Sequence, residues 1–167
     1  MAEPEGARGH MAQVVGYREE FRPHFERLNR AWIEQFFELE GPDLEVFRDP
    51  FRHIVEPGGE VFFLLDDAGV QGTCALVPHG PDAFELAKMA VDEESRGRGY
   101  GDLLMEAAIA FSRGAGARRL FLVSNTRLEP ALRLYRKHGF AEVPIEDQHG
   151  YARVDIQLEL TLGEQPA

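Results

Sequence analysis

The apolar positions of this chain change period along its length, and the changes mark its elements. From Pro23 onward, Phe25, Leu28, Trp32 and Phe36 recur at helical spacing, which puts them on one face. Pro23 suits a first turn, where a missing N–H has no intrahelical partner to lose. Gly41-Pro42 is expected to end that helix, and Asp43 to Val55 reads as one or two helical turns broken at Asp49-Pro50. Gln13 to Tyr17 is a candidate short strand. The period then shortens. Glu60–Leu65 and Val70–Val77 are β-rich apolar runs around Asp66-Asp67-Ala68-Gly69, which is hairpin chemistry. After the loop Pro78 to Asp82, Phe84–Val91 predicts a third strand of this block.

A helix is expected from Gly101 to Arg113, with Leu104, Ala107, Ala108 and Phe111 on one face and Gly114 and Gly116 as its stop. Leu120–Ser124 reads as a strand and Glu129–His138 as a helix, with Gly139 where a left-handed cap is usual. Phe140–Ile145 and Tyr151–Leu160 are predicted as closing strands. In the last, Val154, Ile156, Leu158 and Leu160 alternate with Tyr151, Arg153, Asp155 and Gln157. This order predicts a mixed α/β domain built on a sheet of about seven strands.

The length of 167 residues fits one domain, expected over residues 13–162. Residues 1–12 are small, polar and aperiodic; they read as a disordered segment or, given Gly9-His10-Met11, a tag remnant. No long apolar run or signal-peptide core is visible, so a cytoplasmic protein without a membrane partner is expected. Cys74 is the single cysteine, which excludes an internal disulfide and a cysteine-based zinc site. No grouping of His, Asp or Glu has metal-ligand spacing, and no metal is expected. The formal charge of -11 opposes sequence-independent binding to nucleic acid. It would attract a cationic substrate, although it serves solubility equally well.

The segment Arg96-Gly97-Arg98-Gly99-Tyr100-Gly101-Asp102 lies between a predicted strand and a predicted helix. Glycines let the backbone turn sharply and approach a ligand, and a helix N-terminus offers unpaired N–H groups to an anion. The segment is therefore a candidate phosphate site, the alternative being a plain strand-to-helix turn. A Walker A loop is excluded because the chain has no Gly-Lys pair. The dinucleotide fingerprint is excluded because the third glycine is misplaced. Arg96 and Arg98 can add charge or simply be solvated.

Arg96-x-x-Gly99-x-Gly101 resembles the Gln/Arg-x-x-Gly-x-Gly/Ala signature of the GNAT superfamily of acetyl-CoA-dependent N-acetyltransferases. Tyr135-Arg136-Lys137-His138-Gly139-Phe140 resembles that family's later Tyr-x-x-x-Gly-Phe element, and Asn125 sits where the family often has a pantetheine-binding Asn. The resemblance implies a mostly antiparallel mixed sheet flanked by helices, with acetyl-CoA as co-substrate. It implies that backbone amides from Gly97 through Arg98, Gly99, Tyr100 and Gly101 to Asp102 bind the pyrophosphate. Met89-Ala90-Val91 would pair through its backbone with the pantetheine arm, and the Val91 N–H would polarise the thioester carbonyl.

Two proton-transfer roles follow from the same resemblance. Glu85 lies eleven positions before Arg96, the offset at which the histone-modifying branch carries its base; the alternative is a strand Glu facing solvent or pairing with Lys88. Tyr135 matches the family's general acid, the alternative being a helix aromatic packed on the sheet. Cys74, inside an apolar run, reads as a small buried hydrophobe rather than a nucleophile. Asp92, Glu93 and Glu94 read as solvated loop charges. His79 and His149 are candidates to line an acceptor pocket, and Tyr151 with Arg153 to hold a substrate carboxylate, although a solvated strand face fits that pair better. The expected partner is an amine acceptor shaped by Glu34 to Val55 and the terminal strands, with a homodimer compatible. A non-catalytic acyl-CoA sensor and a longer acyl donor stand as alternatives.

Overall fold

The computed structural model describes residues 12–146 and 151–163. The expectations for the N-terminal segment up to residue 11 and for His149 lie outside them. Seven strands, β1 (Gln13–Val15), β2 (Glu60–Asp66), β3 (Gly69–Pro78), β4 (Ala83–Val91), β5 (Arg119–Ser124), β6 (Ala141–Val143) and β7 (Ile156–Thr161), form one sheet. Their order is β1-β2-β3-β4-β5-β7-β6. Helices α1 (Arg22–Phe36), α2 (Gly41–Arg48), α3 (Tyr100–Gly114) and α4 (Glu129–Lys137) cover it, with a π-helical turn over Phe51–Val55. The mixed α/β fold expected from the sequence is the one observed.

Alternation along the strands sorts the core into two layers. Leu64, Cys74, Leu76, Phe84 and Leu86 pack on the α3 side with Leu104, Met105 and Ala108. Val61, Phe63 and Ala75 pack on the opposite side with Phe25, Leu28 and Ile33 of α1. Leu104 and Ile33 are fully buried, so both helices are held by apolar stripes as their periodicity requires.

Two elements depart from the sequence reading. Helix α1 stops at Phe36, and Gly41-Pro42 opens α2 instead of closing α1. The reason is local: Glu40 and Asp43 form a reciprocal capping box at the start of α2, with Pro42 in its first turn. Strand β7 begins at Ile156, not Tyr151. Competing bonds hold the preceding residues off the sheet: the Asp155 carboxylate accepts from the Thr126 N–H and hydroxyl, and the Asn125 amide donates to the Arg153 carbonyl. Alternation also fails within β7, because Gln157 is buried and accepts the Glu146 N–H.

Two irregularities shape the site. All neighbouring strands run antiparallel except β4 and β5, which are parallel. Those two pair only over Ala83–Glu85 and Arg119–Phe121, although β4 continues to Val91 and β5 to Ser124. Beyond Glu85 they part. The register between β3 and β4 also shifts between Thr73 and Ala75, so β4 carries one extra residue there. Lys88, in that bulge, has φ of 53°. A bulge reverses the in-out alternation downstream. Thus Phe84 and Leu86 face the α3 layer, and beyond the bulge Met89 and Val91 face it while Ala90 faces α1.

Candidate active site

The gap between β4 and β5 opens into a cleft of about 680 Å³. One wall is β4 from Glu85 to Val91; the other is Val123 to Asn125 with Leu134 and Tyr135 of α4. The glycine loop closes one end, and Trp32, Phe36, Phe37 and Val46 line the other. The division of labour is topological. Parallel strands that separate leave main-chain groups without a ladder partner along the gap, a ready edge for an extended ligand.

At the loop end, Gly97 and Gly99 have φ of 84° and 79°, left-handed values that glycine adopts without strain. A Cβ at either meets nothing within 4 Å, so backbone shape and open access, not packing, call for glycine there. Gly99 caps α3, whose first N–H groups face the cleft with Gly101 and Asp102. Gly101 differs: a Cβ there would sit 3.0 Å from Leu134, so it allows α3 and α4 to pack closely. Arg96 lines the cleft and is exposed. The Arg98 side chain turns away, 3.6 Å from Asp66, and the buried Tyr100 hydroxyl donates to the same carboxylate at 2.7 Å. The side chains of Arg98 and Tyr100 therefore brace the loop, and only their main chain is available to a ligand. Asp102 holds Lys137 at 2.9 Å and His138 at 2.8 Å, and these two hold its carboxyl below the usual range.

Along the walls, Met89, Ala90, Val91 and Asn125 all reach the cleft. Asn125 is partly engaged, accepting the Arg127 N–H at 2.9 Å while donating to Arg153. Glu85 faces the gap where the strands begin to part, and burial pushes its carboxyl up to about 6 against the opposing pull of Lys88. Among the described residues none hydrogen-bonds it, and Lys88 pairs elsewhere. Tyr135 lies on the α4 wall with its ring 6.1 Å from Phe140. Burial raises its hydroxyl to about 12, with Cys74 adding to the rise. Cys74 itself is fully buried and raised to about 12, a state without nucleophilic thiolate. His79 packs edge-on to Phe121 and lies 3.7 Å from Glu146, away from the cleft lining. Asp92 caps Glu94 and pairs with Arg27 at 3.2 Å rather than standing solvated.

Sequence reasoning missed an ionic cluster at the aromatic end. The fully buried Asp43 carboxylate accepts from Lys88 and, at 2.8 and 2.7 Å, from both terminal nitrogens of Arg153. Arg153 also reaches Glu40 at 3.2 Å, and the Ala152 N–H donates to Glu40. The guanidinium and the Lys88 ammonium each lie 4.5 Å from the centre of the Tyr151 ring. Burial alone would raise the Asp43 carboxyl, but Arg153 and Lys88 outweigh it and bring it down to about 2. Tyr151 and Arg153 thus belong to a closed network, not to the solvated strand face favoured from sequence. No local signal announces this, since the partners come from α2, the β4 bulge and the segment before β7.

No metal-ligand cluster occurs among the described residues, and no described helix is long and apolar enough to cross a membrane. Residues 57–142, more than half of the chain, match the acetyltransferase (GNAT) domain profile. Over 125 residues the chain is 32% identical to the uncharacterized N-acetyltransferase YobR of Bacillus subtilis strain 168. That alignment covers 71% of this chain and 48% of the relative, so the chain spans about half the relative's length. In backbone it is similar to a GNAT-family acetyltransferase from Staphylococcus aureus Mu50, with TM-score 0.84, 14% identity and coverage of 92% and 100%. It is also similar to a GNAT phosphinothricin acetyltransferase from Sinorhizobium meliloti in complex with acetyl-CoA, with TM-score 0.74, 18% identity and coverage of 91% and 89%. The structural likeness is one of fold. Because the profile match runs from just before β2 to β6, taking in the glycine loop, both cleft walls and α4, the chain belongs to the GNAT family of acetyltransferases.

Proposed function

We propose that residues 13–162 are one N-acetyltransferase domain, moving an acetyl group from acetyl-CoA directly to a primary amine. The observation that carries this reading is the cleft itself: a carboxylate on one wall, a phenol on the other, and an open anion cradle at one end. The cradle fits a pyrophosphate, because Gly97 and Gly99 leave the main chain uncovered beside the N-terminus of a 15-residue helix. Acetyl-CoA supplies an activated thioester; the rest is the work of the protein's own groups. Amides from Gly97 to Asp102 hold the anion, and Met89 to Val91 offer main-chain bonds along the gap.

Glu85 has the base's task. A lysine-like ammonium, with pKa ~10.4, must lose a proton before its nitrogen can attack, at a cost of roughly 4–5 kcal/mol near neutral pH. A carboxylate poised near 6 is ionised at pH 7 yet basic enough to accept that proton, directly or through water. As the N–C bond forms, the Val91 N–H stabilises the carbonyl oxygen. Tyr135 then gives its proton to the sulfur as the C–S bond breaks, and a tyrosine held protonated to about 12 keeps that proton available. The decisive test is thiol release from acetyl-CoA across a broad amine panel, with cofactor binding measured by calorimetry. Transfer to at least one amine supports the reading; binding without any transfer would favour an acyl-CoA sensor.

A further inference from the structure

The aromatic end of the cleft specifies what kind of amine fits, given that the acetyltransferase reading holds. Its apolar lining comes from Trp32, Phe36, Phe37, Val46, Ile54 and Val77. The Trp32 and Phe37 rings meet edge-on at 6.5 Å, and Phe36 lies 6.4 Å from Phe37. Phe36 ends α1 and remains 36% exposed, apolar surface that an apolar ligand would cover.

Charge narrows the choice. Around the buried ionic cluster, the described charged groups are Glu85, Lys88 and Arg153 on the lining, with Asp43 and Glu40 behind them. Three carboxylates face two cations. Both cations are committed: Lys88 to the buried Asp43, Arg153 to Asp43 and Glu40. Asp43 has no solvent access, so a ligand carboxylate drawing either cation away would strand a buried anion, which is strongly unfavourable. Arg127, a further cation on the cleft lining, is exposed and lies 5.3 Å over Phe37, so water screens its charge. The Glu85 carboxylate is left to meet the acceptor's ammonium.

We infer that the acceptor is a primary amine carried on an apolar, preferably aromatic, body without a carboxylate beside the amine. The bulge makes this arrangement possible. By turning Lys88 to the same face as Glu85, it lets Asp43 neutralise Lys88 and leaves the Glu85 carboxylate without a hydrogen-bond partner among the described residues.

A matched set tests the inference: 2-phenylethylamine, L-phenylalanine and L-phenylalaninamide, which differ only in the group beside the amine. Rates are taken as thiol release, corrected for the free-amine fraction. Amine binding to the protein–CoA complex is measured by calorimetry in parallel. Phenylethylamine should exceed phenylalanine in kcat/KM by at least about tenfold, and the amide should recover most of the loss. Phenylalanine equal to or better than phenylethylamine overturns the inference, as does a simple polar diamine outperforming both. Trp32→Ala should weaken phenylethylamine binding while leaving CoA binding unchanged. The same order in calorimetry without thiol release would uphold the acceptor class and remove the transfer reading; transfer with the reverse order would do the opposite.

Discussion

In the proposed reaction Glu85 and Tyr135 divide the proton chemistry, and burial acts on each in a useful direction. Desolvation penalises a charged form, so it raises both groups. The carboxyl reaches about 6, still ionised at neutral pH, whereas the phenol near 12 keeps its proton throughout the working range. As pH falls through about 6 the base is lost, with Lys88 pulling that value down and Glu146 pushing it up. Glu85→Gln is expected to lower amine transfer by about 10²-fold at neutral pH with acetyl-CoA affinity intact. Its residual rate should climb with the free amine as pH rises; an equal loss at every pH, read from full pH–rate profiles, would argue against a base. Tyr135→Phe keeps the ring on Phe140 and removes only the hydroxyl. Thiolate departs easily, so kcat should fall about 10–100-fold, most steeply at alkaline pH where solvent donates poorly. Steady-state kinetics alongside calorimetry separates this from a packing role, which would leave kcat unchanged.

Among the elements, the loop before α3 is where the proposed cofactor site depends on the absence of a single side-chain atom. Gly99 is the helix cap and has φ of 79°, a conformation that costs an L-residue about 1–2 kcal/mol. A Cβ at Gly99 meets no atom within 4 Å, so in Gly99→Val the fold should survive while the turn and the approach of an anion are disturbed. Acetyl-CoA affinity is expected to fall at least about tenfold, roughly 1.4 kcal/mol, by calorimetry on a variant with native circular dichroism. The corresponding change at Gly101 would push on Leu134 and shift α4, carrying Tyr135 with it. That variant should therefore lose kcat as well as affinity. The two glycines serve different interfaces although the motif presents them alike.

For the whole molecule, Asp43 is the tie at the aromatic end of the cleft, where the amine is proposed to bind. It joins α2, the β4 bulge and the segment before β7 through one fully buried carboxylate. Removing it leaves two buried cations facing each other, so Asp43→Ala should cost about 3–5 kcal/mol by chemical denaturation. The pH dependence has a definite sign. Its folded-state value, about 2, lies below the ordinary 3.8, so its contribution is present above pH 4 and is lost as pH falls through 2. Wild type should lose stability over that window, and Asp43→Asn should lack that component. Acetyl-CoA binding, made at the other end of the cleft, should change little in Asp43→Asn while the KM for the amine rises.

The sequence by itself determined the elements and the cofactor loop, because both rest on short-range rules. Short β-rich apolar runs between turn residues pointed to β2, β3, β4 and β5, helical spacing pointed to α1 and α3, and glycines between a strand and a helix marked a candidate anion site. Glu85 and Tyr135 were legible only through family resemblance, since nothing in spacing distinguishes a cleft carboxylate from a solvated one. Tertiary structure alone decided the rest. The parting of β4 from β5 and the bulge at Lys88 depend on pairing between strands distant in sequence. The Lys88–Asp43–Arg153 cluster joins residues as far apart as 110 positions, and strand alternation would have put Lys88 on the other face. Local pattern records which side chains prefer burial; which buried charges meet depends on long-range packing, and here that packing brings Lys88, Asp43 and Arg153 together beside the cleft.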